Sequence, residues 1–138
     1  MVRRARVLLV EDNTDDILQI KRILKSCGLL DDLTIVEDGR EAVDLLAECL
    51  KRDPVELPDL VILDLNLPRM SGLEVLQWIR ADHRLREVSV VILTGSREDS
   101  SLIELHRLGV LGYLVKPLTS QDFVRTVAGC VSLTPSSS

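Results

Sequence analysis

Five short stretches of this chain set apolar residues side by side instead of alternating them with polar ones. The first is Val7-Leu8-Leu9-Val10, and comparable runs cover Leu33 to Val36, Leu60 to Leu63, Val88 to Leu93 and Val110 to Val115. Successive residues of a strand point to opposite faces, so a run that is apolar throughout needs cover on both, as in a parallel sheet packed between helices. The stretches between the runs have the period of helices. Ile17, Ile20, Leu24 and Cys27 recur at spacings of three and four, as do Ala42, Leu45 or Leu46, and Cys49. Leu73, Leu76 and Ile79 repeat the pattern, then Leu102, Leu105 and Leu108, then Phe123, Val127 and Val131.

The boundary residues agree with this division. Asp38 stands three residues before Glu41, and Ser71 three before Glu74, which is the spacing of a capping box; Thr119 and Asp122 repeat it. Gly28 and Gly109 fall just past helices, where a left-handed cap favours glycine. Strands alternating with helices give an α/β fold with a parallel sheet covered on both faces, and right-handed crossovers leave only a few doubly wound orders. With 138 residues the chain fits one domain, read here as residues 1–131, with 132–138 a low-complexity tail outside the fold. Lys51 to Pro58 is expected as a charged surface loop, and no second domain is expected after the last helix.

Composition removes several classes of function. Apolar residues make up 46% and charged residues 28%, a globular balance, and Trp78, Tyr113 and Phe123 are the only aromatics, so the core is aliphatic. Lysine and arginine number 17 against 22 acids, a net charge of −5, which argues against a nucleic-acid partner. Arg3, Arg4 and Arg6 form the one basic cluster and are expected to be a solvated tail. Cys27, Cys49 and Cys130 are odd in number and contain no C-x-x-C pair, so they read as packing residues of a cytoplasmic protein. No apolar stretch approaches the roughly 18 residues of a membrane span. His83 and His106 have no metal-binding partner at useful spacing and are expected at the surface, while Trp78 is expected in helix packing.

In a parallel α/β sheet, ligands bind beyond the carboxyl ends of the strands. Here the first strand ends in Glu11-Asp12, the third in Asp64, the fourth in Thr94 and the fifth in Lys116. Asp64 interrupts an apolar stretch, where a carboxylate is costly unless paired or bound to metal, although a turn-capping role has equal claim on it when it is taken alone. Glu11 and Asp12 precede Asn13, an N-cap residue, so each alone also suits a helix start. Together the acids repel one another and suit a hard divalent cation, with Lys116 and the Thr94 hydroxyl beside them. That set matches phosphoryl transfer, in which positioning and charge neutralisation carry the reaction, with a carboxylate as nucleophile.

Four pieces of sequence carry a resemblance: Val10-Glu11-Asp12-Asn13, Leu63-Asp64-Leu65-Asn66-Leu67-Pro68-Arg69-Met70-Ser71-Gly72, Leu93-Thr94-Gly95 and Tyr113-Leu114-Val115-Lys116-Pro117. In this order and spacing the chain resembles the response-regulator receiver domain of two-component signalling, across about residues 5–131. The resemblance implies a flavodoxin-like, doubly wound, five-stranded parallel sheet of order 2-1-3-4-5 with five helices. It implies that Asp64 accepts a phosphoryl group from a histidine kinase in a Mg2+-dependent reaction, making this a phosphoacceptor signalling domain and not an enzyme. Asp12, Asp64 and the Asn66 carbonyl would bind the metal, with Glu11 acting mostly through water; Thr94 and Lys116 would hold phosphoryl oxygens. Tyr113 would be the aromatic switch, moving with Thr94, and the Lys116–Pro117 bond would be cis. The long Lys51–Pro58 loop looks like that of stand-alone receivers paired with phytochrome-type kinases. Output would pass through a downstream protein or a homodimer, by a face carrying Ile103, Val110 and Val124.

Other readings compete. A flavodoxin-like cofactor carrier needs a phosphate-cradling first loop, whereas Glu11-Asp12-Asn13-Thr14-Asp15-Asp16 repels phosphate. A haloacid-dehalogenase-type phosphatase needs a second acid where Asn66 stands. The remaining alternative is a degenerate receiver that binds partners without phosphorylation, against which the intact Asp12, Asp64, Thr94 and Lys116 argue.

Overall fold

The computed structural model describes residues 5–96 and 100–128. In chain order it runs β1 (Val7–Val10), α1 (Thr14–Ser26), β2 (Leu33–Val36), α2 (Gly39–Lys51), β3 (Leu60–Asp64), α3 (Gly72–Ala81), β4 (Ser89–Thr94), α4 (Leu102–Leu108), β5 (Gly112–Val115) and α5 (Ser120–Val127), with a 3-10 turn at His83–Leu85. All strand pairs are parallel and the order is β2-β1-β3-β4-β5, the doubly wound order expected.

Alternation along the inner strands builds two cores. Leu8, Val10, Val61, Leu63, Val90 and Ile92 face α2, α3 and α4, meeting Ala42, Leu46, Val75, Leu76, Ile79 and Leu105. Val7, Leu9, Leu60, Ile62, Val91 and Leu93 face α1 and α5, meeting Ile20, Leu24, Phe123 and Val127. Three helix starts are capped as their spacing predicts: Asp38 accepts the Glu41 N–H at 2.8 Å, Ser71 that of Glu74 at 3.2 Å and Thr119 that of Asp122 at 3.1 Å. The first box is not reciprocal, because the Glu41 carboxylate takes the Glu37 N–H in place of that of Asp38. Gly28 and Gly109 have φ of 74° and 95°, as caps past α1 and α4 require.

Several expectations are corrected. The outer strands are not covered on both faces: Thr34 in β2 is exposed, and β5 buries only Leu114. Among the described residues each has a neighbouring strand on one side only. β5 begins at Gly112, two residues later than the apolar run, and α4 buries only Leu105 of its three leucines. Arg6 is no solvated tail. Its N–H donates to Asp59 at 2.8 Å, and its guanidinium lies 3.6 Å from Asp32 and 3.7 Å from Glu56. The backbone enters β1 there, so acids at the lower edge of the sheet converge on it. Lys51 ends α2, and the segment is exposed from Lys51 to Glu56, as a charged surface loop should be, before Pro58 turns inward. Cys27 and Cys49 are buried free thiols, Trp78 packs against the α2–α3 core, and His83 and His106 are exposed. Arg3, Arg4, Cys130, Val131 and the 132–138 tail lie outside the described residues. No described helix is long and apolar enough to cross a membrane.

Candidate functional site

Parallel register brings the strand ends to one edge. Val10 is level with Leu63, Asp64 with Leu93, and Thr94 with Val115, so Glu11, Asp64, Thr94 and Lys116 fall on neighbouring strand ends. The Lys116 N–H donates to the Thr94 carbonyl at 2.9 Å, and the Lys116–Pro117 bond is cis, as expected. From the end of β5 the lysine side chain reaches past β4 to Asp64 at the end of β3, two strands away, and to Glu11 just after β1, three strands away. Its Nζ lies 3.2 Å from Asp64 Oδ2, 2.9 Å from Glu11 Oε2 and 2.8 Å from Asp16 Oδ2.

Glu11, Asp12 and Asp64 each offer a carboxylate oxygen, and these oxygens lie within 4.8 Å of one another. Glu11 and Asp64 are buried, while Asp12 is exposed. One Glu11 oxygen accepts the Asn13 N–H at 3.1 Å; the other, Oε2, is buried and lacks an aligned hydrogen bond although Lys116 stands at ion-pair distance. A buried carboxylate oxygen in this state, among oxygen donors only, fits a hard divalent cation. Burial pushes the Glu11 carboxyl up to about 7, against the Lys116 ammonium and the Asn13 N–H, which lower it, and with Asp64 adding to the rise. For Lys116 burial works downward, but the carboxylates of Asp16, Glu11 and Asp64 outweigh it and raise its pKa.

The β3–α3 loop is braced from below and from the side. Gly72 at the start of α3 packs so closely that a Cβ there would run into the Asp64 carbonyl, and its N–H donates to the Leu65 carbonyl at 3.0 Å. Gly39 at the start of α2 packs in the same way on the Met70 carbonyl. Arg69 has φ of 63°, unfavourable for a residue with a Cβ, and both its Nε, at 2.9 Å, and its Nη2 donate to Asp38 Oδ2. Asp38 thereby caps α2 and holds the loop at once; the Glu41 N–H foremost, then Arg69, lowers its pKa against burial. Within the loop the Asn66 N–H donates to Asp64 Oδ1 at 3.2 Å.

On the other flank Thr94 is buried, and its hydroxyl donates to the Ser96 carbonyl at 2.9 Å and accepts the Ser96 N–H at 3.2 Å. Tyr113 is half-buried against the α4 side of the sheet, and its hydroxyl donates to the Leu102 carbonyl at 2.9 Å. Burial raises its pKa.

Glu11, Asp12, Asp64, Asn66, Thr94 and Lys116 therefore meet at one edge, while Tyr113 lies three residues before Lys116 on β5, against the α4 side of the sheet. Sequence reasoning gave Asp16 and Arg69 no role of their own and read Asp38 only as a helix cap. The signal for Asp16 was present, since Asn13 as N-cap places Asp16 in the first turn of α1, but its direction depends on how α1 packs.

The response regulator receiver domain family matches residues 7–128. The response regulator Rcp1 of Synechocystis sp. is 34% identical over 126 residues, covering 91% of this chain and 86% of Rcp1. Its Mn2+-bound structure aligns with a TM-score of 0.74 at 32% identity over 94% of this chain and 99% of that one. The bacteriophytochrome response regulator RtBRR aligns with a TM-score of 0.80 at 35% identity, covering 91% of this chain and 77% of its own. The phosphorylated cyanobacterial phytochrome response regulator RcpA aligns at 0.75 and 32%, covering 92% and 91%.

Proposed function

This chain belongs to the response regulator receiver domain family, and we propose that its Asp64 accepts a phosphoryl group from the phosphohistidine of a sensor kinase. The observation that carries the reading is the placement of Lys116 Nζ on buried Asp64 and Glu11, with Asp12 completing a compact oxygen set. A carboxylate oxygen of Asp64 attacks phosphorus; the P–N bond to the kinase histidine breaks, its electron pair stays on the imidazole, and the product is an acyl phosphate. Lys116 donates to a phosphoryl oxygen, and the Thr94 hydroxyl turns from Ser96 to donate to another, a charge-assisted bond. Glu11, Asp12, Asp64 and the Asn66 carbonyl would hold Mg2+, which supplies neutralisation of the charge shared by carboxylate and phosphoryl group. The Mn2+-bound Rcp1 and the phosphorylated RcpA support this reading, and with RtBRR they favour a phytochrome-type kinase as the donor.

Output then passes to another protein through the α4–β5–α5 face, a second copy of the chain included. Ile103 is 69% and Val124 38% exposed there, whereas Val110 packs partly against the core. Sedimentation with and without a beryllofluoride mimic tests self-association. The phosphoacceptor itself is tested by intact mass after incubation with Mg2+ and acetyl phosphate. One phosphoryl adduct is expected, lost in Asp64→Asn; an adduct that survives this substitution overturns the assignment, and no adduct with any donor leaves the phosphorylation-independent alternative.

A further inference from the structure

Lys116 has three N–H donors and three carboxylates around them, and the nearest is not one the family reading assigns. Asp16 Oδ2 lies 2.8 Å from Nζ, closer than Glu11 at 2.9 Å and Asp64 at 3.2 Å. One turn further along α1, Gln19 Nε2 donates to the Leu118 carbonyl at 2.9 Å. Positions three apart share a helix face, so one face of α1 grips the Lys116–Leu118 segment twice, by its charged side chain and by its backbone. A general role as an acid near a helix N-terminus does not account for this, because exposed Asp15 in the same turn already supplies that charge.

We infer that Asp16 is a positioning residue for Lys116, holding the ammonium over Asp64 so that the donor now directed at Asp64 passes to a phosphoryl oxygen without the side chain moving. The inference rests on the phosphoacceptor reading of Asp64. When an oxygen of Asp64 becomes esterified its charge is lost, whereas Asp16 and Glu11 keep theirs. The two remaining carboxylates thus fix Nζ while its third N–H meets the incoming group. Without Asp16 the lysine is held by Glu11 and Asp64 alone, and its position changes as soon as Asp64 reacts.

The test is a double-mutant cycle on the rate of acetyl phosphate labelling at saturating Mg2+, followed by intact mass. Asp16→Asn, nearly the same shape without the charge, is expected to slow labelling about five- to tenfold in the wild-type background. In a Lys116→Met background it is expected to cause no further loss, because residues that act as a unit are not additive. Asp16→Glu, which keeps the charge, is expected to recover most of the rate. Equal losses in both backgrounds mean a structural role, and a gain in both means a direct field effect on the anionic donor; either overturns the inference, as does no loss in the wild type. A second readout needs neither metal nor reaction: in metal-free Asp16→Asn protein, the 13C signal of the Lys116 Cε methylene is expected to shift and sharpen as the ammonium is released. An unchanged signal overturns the inference. Absence of any adduct on the wild type would instead overturn the phosphoacceptor reading, and the methylene signal would still decide the Asp16–Lys116 link.

Discussion

Lys116 and Thr94 stand at the ends of adjacent strands beside Asp64 and are held by different forces. The lysine is gripped by three carboxylates within 3.2 Å, in a pocket where its own side chain is 23% exposed. Thr94 has its hydroxyl closed on its own turn through Ser96, and Tyr113 behind it makes one hydroxyl bond to the Leu102 carbonyl at the start of α4, a helix that buries only Leu105. Charge-assisted bonds are roughly twice as strong as neutral ones, and a neutral bond contributes about 1 kcal/mol net. One flank is therefore set in advance, while the other is kept by a few weak bonds that a phosphoryl oxygen can outbid. In the proposed function the switch belongs on the weak flank, beside the fixed charge.

The largest expected effect breaks the strong flank. Lys116→Met should slow acetyl phosphate labelling at least about 100-fold, the usual scale for losing even one donor at a reacting oxyanion, since here a full charge goes with it. Thr94→Ala should cost less, about tenfold, since it removes one hydrogen bond to a charged oxygen worth about 1.5 kcal/mol and leaves the Lys116 charge in place. If the two losses are equal, the contrast between the flanks does not exist.

The next effect concerns Glu11, whose carboxyl is raised from 4.5 to about 7 chiefly by burial. The folded state binds this proton more tightly than the unfolded state. Its contribution to stability is therefore fully present below about 4.5 and is lost as pH rises through about 7. Urea unfolding of metal-free protein should show wild type losing on the order of 2 kcal/mol relative to Glu11→Gln between about pH 5 and 8. A difference that stays flat, or grows in favour of wild type with pH, contradicts a Glu11 carboxyl raised by burial.

On the weak flank, Tyr113→Phe should lower stability by about 1 kcal/mol, the value of one neutral hydrogen bond, as measured by urea unfolding. NMR of the Tyr113 ring should report a changed environment on adding beryllofluoride; an unchanged ring would leave Thr94 moving alone. The smallest effect is Thr94→Ala on unfolding without ligand, about 0.5 kcal/mol, because water reaches the exposed Ser96 groups it releases.

How much of this was legible can be judged residue by residue. The helix starts at Asn13, Asp38, Ser71 and Thr119 are local events, complete within about one turn, and all accept the N–H groups their spacing indicates. The inner strands were readable from their apolar runs because neighbours on both sides hold them. The outer strands were overread, since an edge strand can carry Thr34 into solvent and β5 begins only where Gly112 comes level with Val91 of β4. Arg6 was misjudged for a related reason: its partners Asp32, Glu56 and Asp59 come from loops 26 to 53 positions away, with no local sign.

The sequence by itself determined the element types, through unbroken apolar runs for the strands and periods of three to four for the helices. It also determined that Glu11, Asp12, Asp64, Thr94 and Lys116 share one edge, because parallel strands end at the same side of their sheet. Only the tertiary structure decided which acid of the first α1 turn meets Lys116, where the Thr94 hydroxyl points, and that Gly39 and Gly72 admit no side chain. These depend on the rotation and depth at which separate helices pack. Contacts such as Gln19 to Leu118, 99 residues apart, are set by the shapes of both cores together, and no local period encodes them.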